Sequence, residues 1–389
     1  MSPRQPASST RPIRVRTRRD YTVRYTVDLG QRNATFIERP FSPLRRVFRW
    51  ADAFALLPEP DYDLVHALNA VPLTRRPSVI SFEDYLPRVP EDRYVGWLER
   101  ALQRRLLDDR YFALLALSRY AMRQFRRQNR EFAGLPQLEA KLKLRYPAIA
   151  LRREEPKPSL GATLRLLFVG RDFMQKGAPA LLRAHELLQR GGVPVQTTVV
   201  SSLRWREANA YAHPPDPELA ERTKAQLAQD GITHHFETPH AEVMRLMEEA
   251  DFLAFPTLHD TFGYVALEAL ACGTPVLASA TNALPEVVED GRNGFLLPLE
   301  LDGELGRWAW TYRTDEPGFV GAYEETMRGL GDAMAARLAE LWESRERYPA
   351  LSAGALEMVR ERFDLASARA ELEVLYESAR GPRPASTSS

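Results

Sequence analysis

From residue 162 onward, short apolar runs alternate with longer segments of helical spacing. LRLLFVG (164–170) is a compact apolar run that ends at glycine, the pattern of a buried strand. Ala178 to Gln189 then carries Leu181, Leu182, Ala184 and Leu188 at helical intervals and stops at Gly191–Gly192. VQTTVV (195–200) reads as a strand, Pro217 to Gln229 as a helix, ITHHF (232–236) as a strand and Ala241 to Glu249 as a helix. FLAF (252–255) is the next strand, and Tyr264 to Cys272 is a helix ended by Gly273 and Pro275. VLAS (276–279), a short helix Pro285 to Glu289 with proline in its first turn, and the strand GFLLP (294–298) complete the series. Strands that alternate with helices predict parallel βα units in a doubly wound sheet. Ligands on such sheets bind beyond the carboxyl ends of the strands.

The first 150 residues are less regular. DLVHAL (63–68), PSVISF (77–82) and FALLALS (112–118) read as strands, Trp97 to Leu107 and Arg119 to Phe132 as helices, so a second α/β unit is expected. Between Arg153 and Ala162 the proline- and charge-rich EEPKPSLGA reads as a linker. The expected organisation is a domain over 1–155, a second over 162–350, a C-terminal helix over 351–380 crossing back to the first domain, and a disordered tail at 381–389. Residues 301–380 are expected to be mostly helical, and residues 1–10, rich in serine and proline, to be disordered.

Composition narrows the function classes. With 389 residues, 44% hydrophobic and 27% charged, the chain is globular and long enough for two domains. A net charge of +1 disfavours a nucleic-acid binder. That sum hides a division: residues 1–150 hold 28 basic and 16 acidic residues (+12), the remainder 25 and 36 (−11). The single cysteine, Cys272, excludes a disulfide framework and a cysteine-based zinc site, and fits a reducing compartment. No apolar run approaches the roughly 18–20 residues of a membrane span, and the N-terminus lacks the apolar core of a secretory signal. A cytoplasmic location is expected. The segment RYAMRQFRRQNREF (119–132) carries five arginines and one glutamate, so peripheral contact with an anionic membrane at its inner face is a further expectation. Basic residues are 48 Arg and only 5 Lys, which makes each lysine position worth inspecting.

Two segments carry chemistry. In HDTFGYVALEALACGTPVLAS (259–279), Asp260 follows a strand end, Phe262–Gly263 turn, and a helix begins at once. The N–H groups of Gly263, Tyr264 and Val265 are helix-start donors, aimed with the positive end of the dipole at whatever lies above the sheet. Such a start is a ready phosphate site. Asp260 and Glu268 flank it as acceptors for sugar hydroxyls. In VGRDFMQKGA (169–178), Gly170 ends a strand, and Arg171 and Lys176 occupy the loop at its carboxyl end, where a guanidinium and an ammonium can clamp a diphosphate. Asp61–Tyr62–Asp63 mimics a metal-binding DxD but precedes a strand in the first half and reads as structural. No GxGxxG follows a strand, which disfavours a nicotinamide enzyme.

FVGRDFMQKGAPALL and HDTFGYVALEALACGTPVLASATNALPEVVEDGRNGFLLP resemble the donor-binding domain of family 4 retaining glycosyltransferases, the glycosyl transferases group 1 set, over about residues 162–300. The resemblance implies the GT-B fold, an α/β architecture of two Rossmann-like, doubly wound parallel-sheet domains facing a central cleft. It implies that Arg171 and Lys176 bind the donor diphosphate, that Glu268 holds the ribose, and that Asp260 contacts a donor-sugar hydroxyl where the family usually has Glu. Gly170, Phe262, Gly263, Tyr264 and Val265 would line the donor, with Phe236 and His240 near the nucleobase. On the acceptor side, Glu83, followed by Asp84, stands where many members have His; His66 is a weaker candidate. The family's Gly-rich loop after the first strand is missing from IRVRTRRDYTVRYTV.

The implied activity is a hexosyl transfer from a UDP- or GDP-linked sugar to a glycan or lipid-linked acceptor, with retention, no cofactor and no metal, in cell-envelope or polysaccharide assembly. The alternative is a catalytically degenerate protein of this fold that binds a sugar nucleotide or a partner, suggested by Asp260, Glu83 and the missing loop.

Overall fold

The computed structural model describes residues 11–38, 53–56, 61–88, 96–205 and 212–380. The termini expected to be disordered, 1–10 and 381–389, lie outside these residues. Contacts divide the chain into two units, Met1–Ala148 with Asp364–Ser389, and Ile149–Phe363.

The first unit contains strands β1 (Ile13–Thr17), β2 (Ala34–Glu38), β3 (Phe54–Leu56), β4 (Leu64–Leu68), β5 (Val71–Leu73), β6 (Ser78–Phe82), β7 (Tyr111–Ala116) and β8 (Leu142–Leu144). Its helices are α1 (Val23–Thr26), α2 (Gly96–Leu106), α3 (Arg119–Gln128) and α4 (Leu135–Glu139). Six strands form one parallel sheet in the order β2-β1-β4-β6-β7-β8; β3 and β5 pair separately. The apolar runs around 63–68, 77–82 and 112–118 become β4, β6 and β7, buried on both faces as a parallel sheet requires. Strand β1 is not evident from its pattern, because Arg14 and Arg16 interrupt it. Arg14 is satisfied by Asp63, which accepts from its backbone N–H at 3.0 Å, and the buried Arg16 donates to the Ile37 carbonyl at 3.3 Å. Asp63 also pairs with Arg11 at 2.9 Å, so this member of the DxD-like triplet ties the starts of the neighbouring strands β1 and β4 together. Helix α3 starts at Ser118, whose hydroxyl accepts from the Ala121 N–H at 2.9 Å. It buries Tyr120, Ala121, Gln124 and Phe125 and leaves its arginines exposed.

The second unit contains β9 (Leu164–Val169), α5 (Ala178–Arg190), β10 (Val195–Val200), α6 (Pro217–Ala225), β11 (Ile232–His235), α7 (His240–Glu249), β12 (Phe252–Phe255), α8 (Tyr264–Ala271), β13 (Val276–Ser279), α9 (Leu284–Val287) and β14 (Gly294–Leu297). All six strands are parallel, in the order β11-β10-β9-β12-β13-β14. Every expected strand here appears within a residue of its expected bounds. Strands β9 and β12 are neighbours at the centre, so the loops leaving their carboxyl ends lie side by side.

The C-terminal region is mostly helical, as expected, with two details the sequence did not show. Residues 301–318 form turns and bridges instead of helix, as Gly303, Gly306, Pro317 and Gly318 interrupt any helical run; α10 (Phe319–Glu343) begins only after them. The single crossing helix over 351–380 is two helices, α11 (Tyr348–Arg362), which belongs to the second unit, and α12 (Leu365–Ser378), which belongs to the first. Phe363 is fully buried at the break, and Asp364 caps α12 by accepting from the Ser367 N–H at 2.7 Å.

Candidate functional site

Lys176 and Asp260 meet at the carboxyl ends of β9 and β12. The Lys176 ammonium donates to Asp260 Oδ2 at 2.8 Å and to the His259 carbonyl at 3.1 Å, and it lies 5.7 Å from the centre of the Phe255 ring. An ammonium has three N–H donors, so two are committed to the protein and one remains for an incoming anion. Its stem passes Gly170, where a Cβ would come within 2.8 Å of Lys176 Cγ; any side chain at 170 would displace the lysine.

Asp260 also builds the turn. Its Oδ1 accepts from the N–H groups of Phe262 at 3.2 Å and Gly263 at 2.6 Å. Of the three helix-start donors expected to be open, that of Gly263 is therefore already taken. Gly263 has φ +89°, and a Cβ there would come within 2.5 Å of Leu284 Cδ2, so glycine is required both by the left-handed backbone and by the approach of α9. Burial alone would raise the Asp260 carboxyl pKa; the Lys176 charge and hydrogen bond, His259 and the Gly263 N–H outweigh it, and the net value lies below the ordinary 3.8. Phe262 is fully buried between Tyr264 and Phe363 and supports the turn from below.

Helix α8 is buried almost all round, and Glu268 is its only charged residue, at 2% exposure. Its Oε1 is 2.8 Å from His240 Nε2. His240 is the first residue of α7, reached from β11 through Phe236, Glu237 and Pro239. Phe236 is 61% exposed, an unusual position for a phenyl ring, and Glu237 adopts a left-handed φ of +48°, a conformation that non-glycine residues rarely hold without a local reason. Arg171 lies in the loop after β9. Its carbonyl accepts from the Arg204 N–H at 3.0 Å, and its exposed side chain has no hydrogen bond or ion pair among the described residues.

Several neighbours were not evident from the sequence. His213 is buried, with no partner for Nδ1 among the described residues; burial lowers its pKa, Asp172 opposes this and the nearby Lys176 adds to it. The His259 ring meets the edge of Tyr312 at 6.2 Å, and the Arg307 guanidinium stacks over Tyr312 at 4.4 Å. Tyr312 is left-handed, with φ +70°. The sequence signal for this group is the cluster of aromatic residues Trp308, Trp310 and Tyr312.

In the first unit, Glu83 and Asp84 follow the carboxyl end of β6 and are buried. The Glu83 N–H donates to Asn69 Oδ1 at 2.9 Å, and Asn69 Nδ2 donates back to Glu83 Oε2 at 3.2 Å, with Asn69 held at φ +58°. His66 is a core residue instead of an acceptor contact. It is fully buried, and both ring nitrogens are engaged, Nδ1 with the Tyr376 hydroxyl at 2.7 Å and Nε2 with Ser81 Oγ at 2.8 Å. Burial, with Arg145 nearby, pushes its pKa well below the usual 6.5. Among the described residues no group of three or more His, Cys, Asp or Glu side chains is arranged to hold a metal ion, and no helix is long and apolar enough to cross a membrane.

Residues 153–305 match the family model described as "Glycosyl transferases group 1". D-inositol 3-phosphate glycosyltransferase of Arthrobacter sp. (strain FB24) is 34% identical over 134 residues, 34% of this chain and 30% of that protein. The protein of the same name from Segniliparus rotundus is 32% identical over 178 residues, 46% of this chain and 36% of that protein. The matched stretches thus span about a third of those relatives. Among solved structures, Anabaena Alr3699/HepE in complex with UDP and glucose superimposes with a TM-score of 0.57 at 16% identity, over 94% of this chain and 100% of that one. A glycosyltransferase from Rickettsia africae ESF-5 gives 0.60 at 12% identity, over 96% and 100%. With its two parallel-sheet units, the chain has the GT-B fold.

Proposed function

We propose that this chain, which carries a glycosyl transferases group 1 domain at residues 153–305, transfers a hexosyl group from a nucleoside-diphosphate sugar to a hydroxyl acceptor. The observation that carries this is the Lys176 ammonium, fixed by Asp260 and the His259 carbonyl beside the start of α8 with one donor still to give. Departure of a nucleoside diphosphate builds about two negative charges while the sugar carbon becomes cationic, and donors already in place where charge develops lower the barrier. Arg171, Lys176 and the α8 start supply that potential without a bound metal. Glu268 would accept from the ribose, and exposed Phe236 would lie against the base. The Anabaena neighbour holds UDP and, in another complex, UDP-glucose, which favours a UDP-linked donor over a GDP-linked one. Retention of configuration belongs to this proposal and is supported by the resemblance of residues 162–300 to the family 4 donor-binding domain.

Asp260 has both oxygens engaged by the protein, so its role here is to position Lys176 and the turn. Glu83 and Asp84 are the acceptor-side residues. The relatives are named for a phosphorylated polyol, and the basic balance of residues 1–150 suits an anionic acceptor, whether such a polyol or a lipid-linked glycan. A transfer assay with UDP-, GDP- and ADP-sugars tests this. One donor turns over, and Lys176→Ala lowers the rate on the order of 10²-fold; absence of binding and turnover with every donor leaves the proposal without support.

A second reading adds peripheral membrane contact. Helices α2 and α3 lie side by side, joined by Gln103–Asn129 at 2.9 Å and Gln128–Glu99 at 2.7 Å. Together they expose Arg100, Arg104, Arg123, Arg126 and Arg127, and Trp97 is 68% exposed at the start of α2. Basic side chains beside an exposed tryptophan suit an anionic interface. Sedimentation with vesicles rich in anionic lipid recovers the protein, and neutral vesicles do not; equal recovery with both ends this reading.

A further inference from the structure

We propose that His240 makes the donor site selective for ribonucleotides by fixing the carboxylate of Glu268, a proposal that rests on the nucleotide-sugar reading above. Glu268 is the one charged group on a helix that is otherwise apolar and buried. A carboxyl group in such a place needs hydrogen-bond partners. His240 supplies one through Nε2 at 2.8 Å. Read with the ring nitrogen donating and the carboxylate oxygen accepting, the bond places a ring proton on Nε2.

The histidine is held by its backbone. It is the first residue of α7, directly after Pro239 at φ −58° and three residues after the left-handed Glu237. Its donor therefore arrives at Glu268 from a set direction, and pinning Oε1 sets the plane of the carboxylate. A carboxylate can accept several hydrogen bonds at once, so the bond from His240 is compatible with a further donor. An acidic side chain at the carboxyl ends of a parallel sheet is well suited to read the vicinal hydroxyls of a ribose. A site built to accept from a hydroxyl disfavours the analogue that lacks it, because the buried acceptor then loses that hydrogen bond. His240 acts through Glu268 and touches no reacting atom, so it is a positioning residue for specificity.

Calorimetric titration of the full chain with UDP, 2′-deoxy-UDP and 3′-deoxy-UDP tests this, using the wild type, His240→Ala and His240→Gln. The wild type prefers UDP over at least one deoxy analogue. His240→Ala weakens UDP on the order of tenfold, the range of a hydrogen bond to a charged group, and narrows the gap to that analogue. His240→Gln, whose amide can donate to Glu268, restores the gap. The proposal is overturned if His240→Ala weakens UDP and the deoxy analogues equally, if it changes neither, or if the glutamine variant fails to restore the gap. A wild type that binds none of the three nucleotides overturns the nucleotide-sugar reading itself, and is thereby told apart from a failure at His240.

Discussion

Asp260 does two separable jobs with its two oxygens. Oδ1 caps the turn into α8, and Oδ2 holds Lys176. Asparagine at 260 keeps the capping acceptor and loses the charge; alanine loses both. Asp260→Ala is therefore expected to be about 1 kcal/mol less stable than Asp260→Asn in denaturant unfolding, the usual worth of a side-chain cap, while both lose turnover. Acid separates them from the wild type. The folded carboxyl titrates below its unfolded value of 3.8, so its stabilisation is complete above that pH and is lost as the pH falls through the lower, folded value. Asp260→Asn lacks this acid-dependent loss. The residue types at the site were legible, because cations after a strand and a glycine turn before a helix have a direct physical reading. The pairings were not. Lys176 and Asp260 are 84 residues apart and His240 and Glu268 are 28 apart, and one sequence contains no distance between them.

Among the elements, the longer apolar runs were read correctly, whereas the three-residue strands β3, β5 and β8 and the elements that rely on long-range satisfaction of charge were not. Strand β1 escaped because Arg14 and Arg16 are satisfied by Asp63 and the Ile37 carbonyl, neither of which is local. The α11–α12 boundary escaped because the amphipathic pattern continues across it and only the Asp364 cap marks the break. The linker expected over 153–162 holds another such case. Lys157, one of the five lysines, is 4% exposed and donates to the carbonyls of Met247 and Ala250 and to Thr274 Oγ1. That ties the start of the second unit to α7 and to the turn before β13. Burial pushes the Lys157 pKa down to about 7 from 10.5. Between those values the unfolded chain binds the extra proton, so this residue makes stability rise with pH across the window. Lys157→Met is expected to flatten that rise in unfolding measured from pH 7 to 10, and to lower stability below that of the wild type by removing three hydrogen bonds from a buried site.

At the scale of the molecule, the near-neutral sum conceals a basic first part and an acidic second part, and the change of sign falls close to the contact boundary at Ala148–Ile149. The acidic unit nevertheless presents Arg171 and Lys176 at the carboxyl ends of its strands, so local placement decides what it attracts. Both sheets follow one parallel pattern, and in each the unusual backbone lies just past strand ends: Asn69 in the first unit, Glu237 and Gly263 in the second. The architecture of the second unit was legible almost throughout, and that of the first only in its three most apolar strands. The most direct single measurement is calorimetric titration of a panel of nucleoside-diphosphate sugars into the wild type and Lys176→Ala. Binding of at least one sugar nucleotide, weakened on the order of tenfold or more by the substitution, is the expected result. No binding by the wild type, or equal binding by both proteins, would contradict a diphosphate clamp at Lys176.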